Sequence, residues 1–386
     1  AHPSMLARLE PLMLLSALAM GTRRIGLAAT ASTTYGEPFH VARAFATLDH
    51  LSGGRAGWNV VTTSYAKSAA NFSRGEHPAH DERYAIASEF VDVVRALWDS
   101  WEDGAILKDK TSGRFLDPAK LHTIDHAGRY FTVKGPLNTS RPPQGHPIII
   151  QAGSSGPGQD LAARTADVVF TAQQTREEAQ RFYASLKGRM AAYGRPASAL
   201  HIMPGVFPLV GRTMAEARDK LATLEQWTDI AKALELLSDR LGHDVRGYPL
   251  DGPMPDLPPS DQLQSRAALL TDLAKREGLT LRQLAQRVAS ARGHWMLLGT
   301  AEQVADELAA WFLSGAADGF NVMPPYFPGA FEDFTHLVVP ILQERGLFRR
   351  DYEGTMLRDH LGLPRPTYPL VAPPEHNPEK WKPVFG

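Results

Sequence analysis

The sequence predicts an α/β fold, a TIM (β/α)8 barrel with insertions, and three observations carry that prediction. Short apolar runs of β type alternate with helical segments along most of the chain, the order of βαβ units around a parallel sheet. The 386 residues, 43% hydrophobic and 22% charged, supply a large core, and α/β barrels of more than about 200 residues routinely fold as one domain. One of the runs ends in glycines and serines directly before a helix, a turn of the kind that lines the active face of a barrel.

The elements follow in order. Residues 25–30 (IGLAAT) read as a buried strand. Pro38–Ser52 is a helix with Phe39, Ala42, Phe45, Ala46 and Leu48 on or near one stripe and Gly53 as its C-cap. Ala56–Val61 (AGWNVV) is the next strand, and 81–101 a long amphipathic helix with Phe90, Val94 and Leu97 at helical spacing. Residues 102–146 break the rhythm with turn signals and a hairpin around Ala127-Gly128, an excursion from the barrel. Strands resume at 147–151 (PIIIQ), 168–170, 201–209 and 319–323 (GFNVM). Capping boxes open three helices: Thr175 with Glu178, Thr213 with Glu216, and Thr300 with Gln303. A second excursion, 228–295, is helical in composition and carries a proline-rich knot at 248–259. The barrel is expected over 1–346. From 347 a proline-rich arm follows, with Pro364, Pro366, Pro369, Pro373, Pro374, Pro378 and Pro383 excluding a regular helix or central strand.

Composition removes several function classes. With 41 basic and 42 acidic residues the net charge is -1, and without a basic stripe a nucleic-acid partner is not expected. The absence of cysteine excludes disulfides, thiolate metal sites and a cysteine nucleophile. No apolar run reaches membrane-spanning length, and Ala-His-Pro-Ser-Met lacks the pattern of a signal peptide, so a cytoplasmic protein is expected. No Gly-x-Ser-x-Gly elbow suggests a hydrolase.

Candidate site residues cluster at strand ends. The segment 151–158 (QAGSSGPG) follows one strand and opens a helix, which offers backbone N–H groups and a positive helix end to a phosphate, with the Ser154 and Ser155 hydroxyls as further donors. Its spacing is neither G-x-G-x-x-G nor a P-loop, and an ordinary βα turn accounts for the same residues. His80 and Tyr84, four apart, share one helix face and can hydrogen-bond a phosphate or ribityl chain; a capping histidine and a half-buried core tyrosine are the plainer reading. Thr30 and Asn59 end their strands, where barrel enzymes place functional groups, although backbone can also satisfy both. His77 with His80, and His122 with His126, have no carboxylate cluster or shared helix face, so no metal site is expected. His243 in the second excursion either lines a pocket or is simply exposed.

The residues also resemble a known family. The segments 28–34 (AATASTT), Glu37-Pro38 and 45–61 (FATLDHLSGGRAGWNVV) are similar to the FMN-dependent monooxygenases of the nitrilotriacetate and dibenzothiophene-sulfone type, a branch of the bacterial luciferase-like superfamily. The likeness continues through Arg83-Tyr84, 135–138 (GPLN), 151–155, 167–171 (DVVFT), 319–324 and 357–366 (LRDHLGLPRP), nearly the whole chain. The resemblance implies a TIM barrel with FMN at the C-terminal strand ends. Thr30 and Asn59 would lie near the flavin ring or ribityl chain, His80 and Tyr84 near the chain and phosphate, and Ser154 and Ser155 on the phosphate. It further implies reduced FMN from a separate NAD(P)H:flavin reductase, O2 as co-substrate, a small organic substrate, and a homo-oligomer, dimer or tetramer. No catalytic proton-transfer residue is named by it. Six βα units are counted where the family has eight, and the missing ones would precede 10–12, so the chain is expected to lack the first βα units. A deazaflavin- or flavin-dependent oxidoreductase of the same superfamily, or a non-catalytic flavin-binding barrel, are the alternatives.

Overall fold

The computed structural model describes residues 9–73, 76–257, 264–291 and 293–368; the prolines from Pro369 onward and the end of the 248–259 knot lie outside them. Helix α1 (Pro11–Gly21) leads into β1 (Leu27–Ser32), and strand and helix then alternate: α2 (Pro38–Ser52), β2 (Ala56–Val61), α3 (His80–Trp98). A small antiparallel hairpin, β3 (His126–Ala127) and β4 (Thr132–Val133), stands apart from the main sheet. The series resumes with β5 (Ile148–Gln151), α4 (Gly156–Thr165), β6 (Val168–Thr171), α5 (Arg176–Arg189), β7 (His201–Gly211) and α6 (Met214–Gln226). The main sheet runs β1-β2-β5-β6-β7-β8, where β8 is Trp295–Thr300, every neighbour parallel, with β9 (Asn321–Val322) also on β7. This is the order of a (β/α) barrel.

The strands' two-residue period decides what faces where. Ala29 and Trp58 point outward to the helices, and Trp58 meets Phe45 and Phe90 at 5.9 Å between ring centres and Trp98 edge-on at 6.3 Å. Its indole N–H donates to Ala31 O at 3.0 Å, so this large ring leaves no orphaned donor. Thr30 and Asn59 occupy the other parity and face the lumen. Helix α2 stops because Gly53 adopts the left-handed conformation (φ 67) while its N–H returns to His50 O.

The barrel floor is sealed by the segment after 355. A short helix there, Leu357–His360, donates its Leu357 N–H to Gly54 O at 2.8 Å. Leu357, Leu361 and Leu363 pack against Ile148, Val168 and Ile150. Buried Arg358 forms an ion pair with Asp167 at 3.0 Å and donates to His146 O.

Among its described residues the excursion at 228–295 contains three helices, α7 (Ile230–Leu241), α8 (Gln264–Glu277) and α9 (Leu281–Ala291), around their own apolar core of Leu237, Leu241, Leu270, Leu273, Leu284 and Val288. Its last residue begins a strand that the sequence reading lacked: β8 (Trp295–Thr300), paired with β7 over 206–211. Helices α10 (Ala301–Leu313), α11 (Gly329–Asp333) and α12 (Val339–Glu344) follow. Two of the expected capping boxes form in full, at Thr175 and Thr300. At Thr213 the hydroxyl caps Glu216 N, but the Glu216 carboxylate accepts from Arg212 N instead. Among the described residues no helix is long and apolar enough to cross a membrane.

Candidate functional site

The site is built from loops at the C-terminal ends of β1, β2 and β5. Thr30 and Asn59 lie in register on β1 and β2. Asn59 Nδ2 donates to Thr30 Oγ1 at 2.9 Å, while the buried Asn59 Oδ1 accepts from no described residue. A buried acceptor left unmet costs roughly 1–3 kcal/mol, so this atom can accept from a group bound in the lumen. Beyond the pair, Ser32 Oγ and Thr63 Oγ1 lie 2.6 Å apart, and Thr63 N–H donates to Thr34 Oγ1. A short polar ladder therefore lines this rim.

The second cluster follows β5. Ser155 is the N-cap of α4, and its Oγ accepts from Gly158 N at 3.3 Å. Pro157 has no N–H, so the Gly156 N–H is the first-turn donor left over, and a Cβ placed on Gly156 would meet nothing within 4 Å. Ser154 is exposed, and its carbonyl accepts from Gln159 Nε2 at 3.0 Å. Gly153 and Gly158 touch closely: a Cβ on Gly153 would lie 2.9 Å from both Gly158 Cα and the Tyr84 hydroxyl. Tyr84 thus reaches across from α3 to this turn, and His80 packs on it with ring centres 5.0 Å apart. His80 Nδ1 is 2.8 Å from Asp81. The six candidates form two groups, Thr30 with Asn59 and His80, Tyr84, Ser154 and Ser155 together, on adjacent strand ends where Val60 pairs with Gln151.

Beside Tyr84 a groove of about 330 Å³ runs between α3 and α4, walled by Asp81, Asp160, Arg164 and Tyr193. Its two carboxylates make it a poor anion site, and it lies in the helical layer, so the turn rather than the groove fits a phosphate.

One cluster escaped the sequence reading. Tyr35, three residues past β1, places its hydroxyl 2.6 Å from His77 Nδ1, and Arg83 Nη1 lies 2.8 Å from His77 Nε2. The Tyr35 ring stacks on Phe72 at 4.7 Å and 6°. Nothing in the spacing of 35, 77 and 83 signals this; the two loops meet only because β1 and β2 are neighbours. His122 and His126, by contrast, go to different carboxylates, Glu102 at 2.8 Å and Glu89 at 3.0 Å. Among the described residues no group of three or more metal-ligating side chains assembles.

Burial, and then the Arg83 charge, pushes His77 below the ordinary histidine range. Burial also pushes His146 down, against the pull of Asp99 at 2.8 Å. Both histidines bind protons more readily in the unfolded chain, so their contribution to stability is complete above the unfolded value of about 6.5 and is lost as pH falls below it. The unfolding temperature is therefore expected to drop between pH 7.5 and 5.5, and His146→Gln to flatten that slope; a flat wild-type profile would contradict it.

A family model described as luciferase-like monooxygenase matches residues 1–318. The chain belongs to the luciferase-like monooxygenase family. It is 52% identical over 369 residues to the N-acetyl-S-(2-succino)cysteine monooxygenase of Bacillus subtilis (strain 168), covering 95% of this chain and 84% of the relative. It is 53% identical over 367 residues to nitrilotriacetate monooxygenase component A of Aminobacter aminovorans, covering 95% and 81%. Among solved structures, a riboflavin lyase in complex with modified FMN and riboflavin superposes with a TM-score of 0.84 at 35% identity, over 94% of this chain and 80% of that one. This luciferase-like monooxygenase is thus an oxygenating oxidoreductase, and the resemblance stated from its sequence is borne out, as is its α/β barrel class.

Proposed function

We propose that this monooxygenase takes reduced FMN from a separate NAD(P)H:flavin reductase and uses it with O2 to oxygenate a small organic substrate. The observation that carries this reading is the Ser155-capped turn, with its free Gly156 N–H and the Tyr84 hydroxyl, standing beside a lumen-facing Asn59 whose Oδ1 is buried and unmet. These residues fit FMN. A helix N-terminus with free donors suits the phosphate, and an N–H of the flavin ring or a ribityl hydroxyl suits Asn59 Oδ1. In this reading Ser154, Ser155 and Gly156 N–H hold the phosphate, His80 and Tyr84 the phosphate and chain, and Thr30 with Asn59 the ring side. The bound flavin supplies the reducing electrons for O2. The chain's own part is to bind, to orient and to keep water from the reacting oxygen. The names of the two relatives suggest a substrate carrying several carboxylates, and association of the chain as a dimer or tetramer belongs to the same reading.

The test is anaerobic mixing with photoreduced FMN, followed by an O2 pulse in a stopped-flow spectrometer. Reoxidation slower than in free solution is expected. Ser155→Ala and Tyr84→Phe should each weaken FMN binding about tenfold or more, the worth of a hydrogen bond to a charged group. Turnover of nitrilotriacetate and N-acetyl-S-(2-succino)cysteine is then followed by mass spectrometry. Reoxidation at the free-solution rate would overturn the flavin reading.

A further inference from the structure

The Tyr35, His77 and Arg83 cluster has a donor–acceptor logic that leaves little freedom. A guanidinium can only donate, so the 2.8 Å contact from Arg83 Nη1 requires a lone pair on His77 Nε2. The same Nη1 donates to Pro78 O at 3.0 Å, which fixes the guanidinium in place. His77 must then be neutral with its proton on Nδ1, and that N–H donates to the Tyr35 oxygen 2.6 Å away. Burial, and then the Arg83 charge, push the ring toward this uncharged form. No ion pair to a carboxylate competes for either His77 or Arg83 among the described residues. With its oxygen already accepting, Tyr35 turns its own O–H proton away from His77.

The position of that proton matters. Tyr35 lies in the loop directly after β1, and a Cβ on Gly36 would come within 2.8 Å of Ser32 O, so the loop folds back tightly over the strand end. Stacking on Phe72 restricts the ring. The hydroxyl is therefore a directed donor in the loop that leaves the C-terminal end of β1, three residues past Ser32 and its contact with Thr63. We propose that Tyr35 donates a hydrogen bond to the oxygen held at the barrel mouth before its transfer, with His77 and Arg83 as positioning residues that present its proton. This rests on the flavin reading above. It adds to that reading a named donor, which the sequence did not supply.

The test has two arms. In the first, 15N-labelled, ligand-free protein is examined by long-range 15N–1H NMR near pH 7.5. His77 is expected as the Nδ1–H tautomer, and Arg83→Met is expected to release it to a mixture. An Nε2–H or doubly protonated ring would overturn the arrangement, whatever the protein binds. In the second arm, reduced FMN and O2 alone are the probes, and hydrogen peroxide release is timed without substrate. Tyr35→Phe should bind reduced FMN as wild type does and release peroxide about tenfold faster, the worth of one hydrogen bond to a charged oxygen. His77→Ala should match it and the double variant be no faster, since His77 acts through Tyr35. His77→Asn, whose amide nitrogen stands where Nδ1 stood, should restore most of the wild-type rate. Unchanged or slower release in Tyr35→Phe, or additive effects in the double variant, would overturn the donor role. If wild type itself releases peroxide at the free-FMN rate, the flavin reading and the donor role fall together, while the NMR arm still decides the cluster.

Discussion

Arg358→Ala is expected to destabilise the protein by about 3–5 kcal/mol, because it strips the partner from a buried carboxylate. The Arg358 and Asp167 side chains are 4% and 10% exposed and meet at 3.0 Å. Asp167 also accepts the Ile149 N–H at 2.8 Å, so its carboxylate ties the start of β6 to β5 and cannot leave for solvent without breaking the sheet. Arg358 reaches further, to His146 O, and its backbone N–H donates to Gln144 Oε1 at 3.1 Å. Gln144 in turn donates to buried Asp49 at 2.6 Å. The substitution therefore unpairs a charge and removes the side-chain bond to His146 O, while the backbone bond to Gln144 stays. The exposed pair Arg246–Asp244, with side chains 56% and 58% exposed, is the comparison. Arg246→Ala should leave stability nearly unchanged, because solvent screens a surface ion pair. Chemical denaturation of both variants separates the two, and equal midpoints would refute the assignment of the floor.

Gly158→Ala is expected to cost about 1–3 kcal/mol, as overpacking of a tight contact does. Its Cβ would fall 2.9 Å from the backbone of Gly153 and 3.0 Å from the Tyr84 hydroxyl. Backbone cannot rotate aside as a long side chain can, so the turn after β5 must move away from α4. That shifts Ser155, the Gly156 N–H and Tyr84 together, and FMN binding should weaken by about tenfold or more, at least one charged hydrogen bond. Gly156→Ala, with open space around its Cβ, should leave stability nearly unchanged. Fluorescence titration with FMN and thermal unfolding measure both. A Gly158→Ala protein with wild-type stability and affinity would show that the close contact is not needed.

The regular elements were legible where one local signal governed them. Helix α2 appears with the bounds its apolar stripe and Gly53 predicted, and β2 over the six residues AGWNVV. Helix α4 starts at Gly156, inside the glycine- and serine-rich turn, because Ser155 caps it and Pro157 fits its first turn. Strand β8 was missed because WMLLGT has neither alternation nor β-branched enrichment and adjoins a helical excursion; its conformation comes from pairing with β7.

The candidate site divides in the same way. By itself, the sequence determined the alternation of strands and helices, the caps and the small-residue turn after β5, all set by neighbours within a few residues. Only the tertiary structure decided that Asn59 donates to Thr30 and keeps a buried oxygen unmet, that Tyr84 reaches Gly153 and Gly158, and that Tyr35, His77 and Arg83 meet. Hydrogen bonds between loops depend on which strands lie side by side, and parallel strands become neighbours through crossovers long enough to hide that adjacency from any local pattern.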